Sequence, residues 1–239
     1  MKNWLYILVF LLAACNNHVT EKIVEEKEEN APEPPPPPFW NDIQNFKKQD
    51  SVLLPPKNAI LFIGSSSFTM WKDVQDYFPG YTIVNRGFGG STLSDQIRYA
   101  NDIIFPYEPK QIVIYCGEND LAISDTVSAA MVVERFKQLY QIIRAKSKAP
   151  ILYISMKPSP SRRHLFQKML EANKSIALFL SQSDILHSVT SKNVCIDVHQ
   201  KMLTTAGEPI PELFLADSLH MNAKGYAIWK KEIEPYLIK

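Results

Sequence analysis

The residue types in this chain that could do chemistry are concentrated in four short polar blocks. A serine-rich block occupies residues 64 to 67 and a glycine-rich block residues 85 to 90. A third block spans residues 117 to 120, and the last spans residues 217 to 220. Together the blocks offer a hydroxyl, an imidazole, a carboxylate and a set of N–H donors. Ester hydrolysis by a serine nucleophile requires these groups.

The last block contains the residues that would activate a serine. A serine hydroxyl is a poor nucleophile until a base removes its proton, and His220 is the candidate base because imidazole accepts protons near neutral pH. Asp217 lies three residues earlier. On a turn that enters a helix, this spacing places both side chains on one side, so the carboxylate can orient the ring. The developing oxyanion also needs fixed donors. The candidates are the backbone N–H groups of Ser66 and Gly90 and the side-chain amide of Asn119.

Each block also has a plainer structural interpretation. Three serines after a strand are typical of a turn and a helix N-cap, and several glycines can mark a tight strand-to-helix turn. Asn119 can bond its own loop backbone, Asp217 can cap the last helix, and His220 can be a surface histidine. All four interpretations would have to hold at once, so the catalytic interpretation is favoured.

The blocks follow elements that alternate between strand and helix. The predicted strands are 59–63, 82–85, 111–115, 151–155 and 194–198. The predicted helices are 93–104, 127–146, 161–182 and 222–237, the last of which breaks or ends near Pro235. This alternation predicts an α/β fold, a flavodoxin-like three-layer sandwich with a mostly parallel five-stranded sheet. Ligands of such sheets bind outside the carboxyl ends of the strands. Ser66, Gly90 and Asn119 all fall just beyond such ends.

The four blocks resemble those of the SGNH (GDSL-like) hydrolase family over about residues 58 to 238. The resemblance assigns one role to each block: Ser66 as nucleophile, Gly90 as the oxyanion glycine, Asn119 as the oxyanion asparagine, and Asp217 with His220 as the acid–base pair. It implies a serine esterase that needs no cofactor. One departure is Ser65, which stands where the family usually has Asp. That Asp is neither nucleophile nor base, so we expect activity to survive.

The N-terminus predicts a lipoprotein signal peptide over residues 1 to 14. Lys2 precedes an apolar stretch that is too short to span a membrane as a stable helix. Residues 12 to 15 (Leu-Ala-Ala-Cys) resemble the lipobox of bacterial lipoproteins, which makes Cys15 the predicted lipidation site. The alternative is an ordinary secretory signal with a chance cysteine.

Residues 15 to 39 predict a tether before a hydrolase domain at residues 40 to 239. The tether is acidic and ends in a run of five prolines, which favours an extended, semi-rigid chain. We therefore expect a protein of the bacterial cell envelope. A lipid anchor would hold it to the membrane, facing the periplasm or the outer surface.

Charge and cysteine content exclude several partners. The predicted domain holds 23 basic and 19 acidic side chains without a basic block, so no nucleic-acid partner is expected. A flavodoxin-like order would put one strand between Cys116 and Cys195, about 9.6 Å apart, which favours free thiols. No zinc-ligand spacing occurs, and we expect no metal. His199 follows the last predicted strand and could line the cleft, but a surface position is favoured.

The predicted substrate is a small acyl ester, such as an acetyl group on carbohydrate. A lysophospholipase or thioesterase that acts on longer acyl chains is the alternative within enzymes. A long apolar groove beside Ser66 would favour that alternative, and a short polar cleft would favour the sugar ester. A catalytically silent, tethered binding lipoprotein is the alternative from a different class.

Overall fold

The computed structural model describes residues 34–187 and 192–239, and the side chains of residues 184–187 are not described. The predicted signal peptide, Cys15 and the tether up to residue 33 therefore lie outside the described residues. Pro38–Lys239 form one compact unit. Within the described ranges, no helix has the combined length and apolar character needed to cross a membrane.

Five strands form a single parallel sheet in the order β2-β1-β3-β4-β5. They are β1 (Ile60–Gly64), β2 (Ile83–Gly87), β3 (Gln111–Tyr115), β4 (Ile151–Ile154) and β5 (Val194–Ile196). The interior strand β1 pairs on both sides, so that Ile60 lies opposite Ile83 on β2 and Gln111 on β3. This is the flavodoxin-like order, and it confirms the predicted fold.

Helices follow the strands along the chain. The α-helices of the described residues are α1 (Trp40–Val52), α2 (Ser66–Thr69), α3 (Val74–Tyr77), α4 (Leu93–Arg98), α5 (Ala100–Ile103), α6 (Glu118–Ile123), α7 (Ala129–Arg144), α8 (Phe166–His187) and α9 (Ala223–Ile233). Short 3₁₀ turns occupy Phe105–Tyr107, Pro160–Leu165, Gln200–Met202, Pro211–Leu213 and Glu234–Tyr236.

The sheet is buried on both faces, which explains why its strands are apolar without interruption. Leu61 and Ile63 point into a core that also contains buried side chains of α1, α4, α5, α7 and α8. Ile60 and Phe62 point to the opposite face, where α2, α3 and α9 contribute a core rich in aromatic rings. The three layers position the carboxyl ends of all five strands at one edge of the molecule.

The helices differ from the sequence prediction in several places. Helix α1 and the short helices α2, α3 and α6 had not been predicted. The helix predicted over residues 93–104 is divided at Tyr99, whose side-chain hydroxyl donates to the Pro38 carbonyl. The closing helix ends at Ile233, near Pro235 as predicted, because Pro235 cannot supply the N–H that would continue it.

The two cysteines of the folded part are free thiols, as predicted. Cys116 directly follows β3 and is buried, whereas Cys195 lies within β5 and is partly buried. Strand β4 pairs with both β3 and β5 and so separates the two thiols.

Candidate active site

Strand β1 delivers the serine block into a sharp turn at its carboxyl end. Gly64 has a φ of 146°, and a Cβ atom there would lie 2.0 Å from the carbonyl oxygen of Tyr115 on β3. Glycine is therefore required at this position. Ser65 is the N-cap of α2, and Ser66 is the first residue of that helix. The turn thus places Ser66 just beyond the carboxyl end of β1.

His220 joins two other predicted site residues. Its Nε2 atom lies 2.9 Å from Oγ of Ser66, and its Nδ1 atom lies 2.6 Å from Oδ2 of Asp217. Ser66 and His220 are 154 positions apart in the chain. The fold therefore brings a hydroxyl, an imidazole and a carboxylate into one hydrogen-bonded row.

The turn that contains the acid–base pair fixes the carboxylate of Asp217. Its Oδ1 atom accepts the backbone N–H groups of Leu219 and His220, each at 2.9 Å, which leaves Oδ2 directed at the ring. Ser218 lies in the left-handed region, with a φ of 55°. The side-chain hydrogen bond to His220, together with these backbone N–H groups, lowers the pKa of Asp217 from its ordinary 3.8 to about 2. The carboxylate is therefore ionised at neutral pH.

The ionised carboxylate determines which nitrogen of the neutral ring carries the proton. Asp217 can only accept hydrogen bonds, so Nδ1 of His220 must donate to it. The lone pair of Nε2 then faces the hydroxyl of Ser66, in position to take its proton. The side chain of Asp217 is 47% exposed and that of His220 is 20% exposed. The row is consequently open to a ligand from solvent.

The glycine-rich block lies between the serine and Asn119. A Cβ atom on Gly89 would lie 3.8 Å from Cβ of Ser66, so the two residues are close neighbours. Gly90 has a φ of 84°, a conformation that favours glycine. The side-chain amide of Asn119 donates one N–H to the Ser91 carbonyl at 3.0 Å. That contact joins the second and third blocks, and it leaves the second N–H of the amide for another acceptor.

Buried polar contacts hold these loops together. Asp120 is fully buried, and its carboxylate accepts the backbone N–H of Leu93 at 2.9 Å and the guanidinium of Arg135 at 2.8 Å. Burial raises the pKa of Asp120, and both hydrogen bonds oppose that shift. Ser91 Oγ also lies 3.2 Å from the Gly64 carbonyl, which links the second block to the first.

Phe39 contributes to the site from a position that the sequence had placed in the tether. Its ring packs edge-on against Phe88, with the centroids 5.3 Å apart. One ring carbon would lie 3.8 Å from a Cβ atom on Gly90. Phe39 itself has a φ of 64°, which is unusual for a non-glycine residue. A signal was available in the sequence, because a large aromatic residue directly after a proline run has no role in an extended linker.

A second polar cluster behind the site was also missed. Lys157 and Glu118 form a buried ion pair, with Nζ and Oε2 2.7 Å apart. Tyr115 and Ser159 donate to the same carboxylate. The available signal was Lys157 itself, a charged residue three positions after the end of an apolar strand.

The expectation for His199 was wrong. Its side chain is buried rather than at the surface, and the residue is 1% exposed. Nδ1 lies 2.8 Å from the Met156 carbonyl, and the ring of Phe166 covers it at 5.4 Å between centroids. Burial lowers the pKa of this imidazole. The prediction failed because it took the residue after a strand to be exposed, whereas the start of α8 packs over it.

Among the residues that the structure describes, no group of three or more His, Cys, Asp or Glu side chains could hold a metal ion.

Comparison with known proteins identifies both the domain and its neighbours. The model of the GDSL-like lipase/acylhydrolase family matches residues 64–228. No curated protein sequence gives a significant match.

Solved structures with a similar fold include several hydrolases. A GDSL-like lipase from Bacteroides thetaiotaomicron is 18% identical, with a TM-score of 0.68 over 81% of this chain and 95% of the other. A lipase/acylhydrolase from Enterococcus faecalis is also 18% identical, with a TM-score of 0.53 over 75% and 97%. A catalytic mutant of an acetylxylan esterase from Geobacillus stearothermophilus is 13% identical, with a TM-score of 0.59 over 76% and 94%. At these identities the similarity shows the shared fold.

Proposed function

The chain belongs to the GDSL-like lipase/acylhydrolase family and is an ester-hydrolysing enzyme, and we propose that it removes small acyl groups, such as acetyl groups on carbohydrate. In this proposal Ser66 is the nucleophile, His220 is the base and Asp217 orients the base. The observation that carries it is the hydrogen-bonded row in which His220 reaches Ser66 at 2.9 Å and Asp217 at 2.6 Å.

The first half of the reaction forms an acyl-enzyme. Ser66 Oγ attacks the ester carbonyl carbon while its proton passes to Nε2 of His220. The ionised Asp217 stabilises the resulting imidazolium through Nδ1. When the tetrahedral intermediate collapses, the bond to the alcohol oxygen breaks, and His220 returns its proton to that oxygen.

In this proposal, charge on the carbonyl oxygen is stabilised by three N–H donors. The backbone N–H groups of Ser66 and Gly90 are two of them, and the free N–H of the Asn119 amide is the third. The hydrogen bond from Asn119 to Ser91 limits rotation of the amide, so little reorganisation is needed when charge develops.

Water completes the second half of the reaction. His220 removes a proton from a water molecule, which attacks the acyl carbon, and Ser66 leaves with the proton that the ring then donates. The acid and the acyl-free enzyme are the products. These reaction steps require no redox cofactor, because no atom changes its oxidation state.

Two observations support a short acyl group on carbohydrate. The ring of Phe39 lies beside Gly90, one of the proposed oxyanion donors, and in this proposal it limits the space for an acyl chain on that side. One of the proteins with a similar fold is an acetylxylan esterase. A long acyl chain would need room past Phe39.

A series of p-nitrophenyl esters from acetyl to palmitoyl, assayed beside acetylated sugars, tests this proposal. The chain used should begin at residue 34, so that Pro38 and Phe39 keep their contacts. We expect the highest kcat/KM for acetyl and a steep decline with chain length. A maximum at eight carbons or longer would instead indicate the lysophospholipase or thioesterase alternative. Failure to react with a fluorophosphonate probe would indicate the silent binding lipoprotein.

We further propose that Cys15 carries a lipid and that the enzyme works in the bacterial cell envelope, at the periplasmic or outer surface. The support is the lipobox-like sequence before Cys15 and the acidic, proline-rich tether after it. Labelling with a radioactive fatty acid tests this: the wild type should incorporate label and Cys15→Ser should not. An unlabelled wild type would leave the ordinary secretory signal as the explanation.

A further inference from the structure

A buried ionic cluster lies between the first turn of α6, which carries Asn119, and the turn that carries His220. Its centre is the carboxylate of Glu118, which is one residue before Asn119. Oε2 accepts from Nζ of Lys157 at 2.7 Å and from the hydroxyl of Tyr115 at 2.5 Å. The side chains of Lys157 and Glu118 are 2% and 5% exposed.

The charged groups of the cluster all have hydrogen-bond partners within it. Burial, and next the charge of Glu118, raise the pKa of Tyr115 well above its ordinary value, so the phenol keeps the proton that it donates. The ammonium group of Lys157 also lies 3.3 Å from the Tyr115 hydroxyl. Two opposite charges and a neutral donor therefore satisfy one another away from water, as buried charges must.

Ser159 connects this cluster to the acid–base turn. Its hydroxyl lies 3.1 Å from Oε1 of Glu118 and 3.3 Å from the carbonyl oxygen of Leu219. The hydroxyl has a single proton to donate to these two acceptors, so the proton is shared between them or alternates from one to the other. Two residues on, the backbone N–H of Ser161 donates to the Ser218 carbonyl at 3.1 Å. The segment after β4 is thus attached directly to the turn that precedes His220.

We propose that Glu118, Lys157 and Ser159 act as a positioning clamp that sets the distance between the oxyanion donor Asn119 and the base His220. The proposal rests on the function proposed above. Glu118 directly precedes Asn119 in the first turn of α6, and Ser159 contacts Leu219, the residue that precedes His220. In the transition state Asn119 must donate to the carbonyl oxygen while His220 takes the serine proton. A change in the distance between these two residues therefore reduces turnover more than it reduces ester binding.

The alternative is that the cluster only stabilises the sheet edge. A buried ion pair is weak support for stability as such, because apolar residues of similar volume often replace it without loss. The clamp and the alternative therefore differ in what they predict for kcat when the contact to Leu219 is removed and the ion pair is left intact.

Ser159→Ala makes that change, and Ser155→Ala is its matched control. Both serines are buried just after β4, at 0% and 1% exposure. The Ser155 hydroxyl accepts the backbone N–H groups of Val198 and His199, and not a contact from residues 217 to 220. Each variant should be made in the full chain and assayed with p-nitrophenyl acetate and by thermal unfolding, with Ser66→Ala in parallel.

We expect Ser159→Ala to lower kcat about tenfold while KM stays within about twofold of the wild type. Ser155→Ala should lose a comparable amount of thermal stability and keep its kcat within about twofold. Equal kcat in the two variants, whether both are normal or both reduced, would overturn the clamp.

The inactive control separates this proposal from the proposed function. An inactive Ser66→Ala beside a normal kcat in Ser159→Ala would overturn the clamp alone. Retained turnover in Ser66→Ala would overturn the nucleophile assignment and the clamp that rests on it.

Discussion

Two hydrogen-bonded chains of ionisable groups lie at the same edge of the sheet, and they differ in their access to water. The row of Ser66, His220 and Asp217 is open, with the aspartate 47% exposed. The cluster of Glu118 and Lys157 is closed, with both side chains at most 5% exposed. The open row leaves the serine hydroxyl accessible to an ester. In the closed cluster the charged groups are satisfied by one another and by neighbouring hydroxyls.

The difference shows that exposed ionisable groups are available to react with a substrate, whereas buried ones are suited to holding other residues in position. Charges that are open to water interact weakly with one another, so the open row contributes little to folding and can be used for catalysis. Charges in the closed cluster interact strongly and are costly to leave unpaired, so they hold a fixed geometry but cannot reach a substrate. Substitutions in the open row should therefore affect kinetics with little change in stability, whereas removal of one charge from the closed cluster should lower stability in addition to any effect on kcat.

Ser66→Ala should have the largest effect. Without the hydroxyl no acyl-enzyme forms, and kcat should fall by roughly 10⁴-fold or more while thermal stability stays near that of the wild type. Ser65→Ala and Ser67→Ala are the controls and should retain far more activity. An inactive Ser65→Ala variant together with an active Ser66→Ala variant would show that Ser66 is not the nucleophile.

Glu118→Gln should have the next largest effect, on stability. It leaves the buried charge of Lys157 without a counter-ion, so the free energy of unfolding should fall by about 3–5 kcal/mol. The double variant Glu118→Gln with Lys157→Met removes both charges and should recover most of that loss. Urea unfolding of the three proteins measures this. A single variant as stable as the wild type would contradict the description of the cluster as closed.

Asn119→Ala should act on the transition state. The amide donates to the carbonyl oxygen as charge develops there, so kcat should fall about 10²–10³-fold with little change in KM. If the amide serves only its hydrogen bond to Ser91, the variant should instead lose thermal stability and show a small, mixed kinetic change. Steady-state kinetics and a thermal scan of the same preparation distinguish the two outcomes.

Asp217→Asn should have the smallest of these effects on activity. Because the carboxylate is half-exposed and screened by water, we expect kcat to fall about 10–10²-fold, less than for a buried triad aspartate. With a pKa of about 2, Asp217 is ionised from pH 5 to 9, so the loss should be present throughout that range. A pH–rate profile of wild type and variant measures it.

The same carboxylate gives a pH-dependent term in stability. Folding lowers the pKa of Asp217 from 3.8 to about 2, so its contribution is complete above about pH 4 and is lost as the pH falls through 2. The stability difference between wild type and Asp217→Asn should be small because the group is exposed. It should be constant above pH 4 and should shrink below it. A difference that grows toward pH 2 would have the wrong sign for a depressed carboxyl pKa.

The sequence by itself predicted the sheet because a strand buried on both faces leaves a local signal. Continuous apolar runs located all five strands to within two residues, and strand–helix alternation implied their parallel order. Helix α1 was missed because its only buried residue is Ile43, so it shows almost no apolar periodicity. The division at Tyr99 was missed because no glycine or proline marks it in the sequence.

For the site, the sequence determined which residue types were available, and the tertiary structure decided which of them meet. Short blocks pointed to Ser66 and His220 because turn chemistry and spacing are local properties. Their contact spans 154 positions and exists only because parallel strands bring their carboxyl ends to one edge. The pairing of Glu118 with Lys157 left no such signal, because neither residue follows a local pattern that names the other. Burial made that pair a unit, and burial is a property of the packed sheet and helices rather than of any short segment.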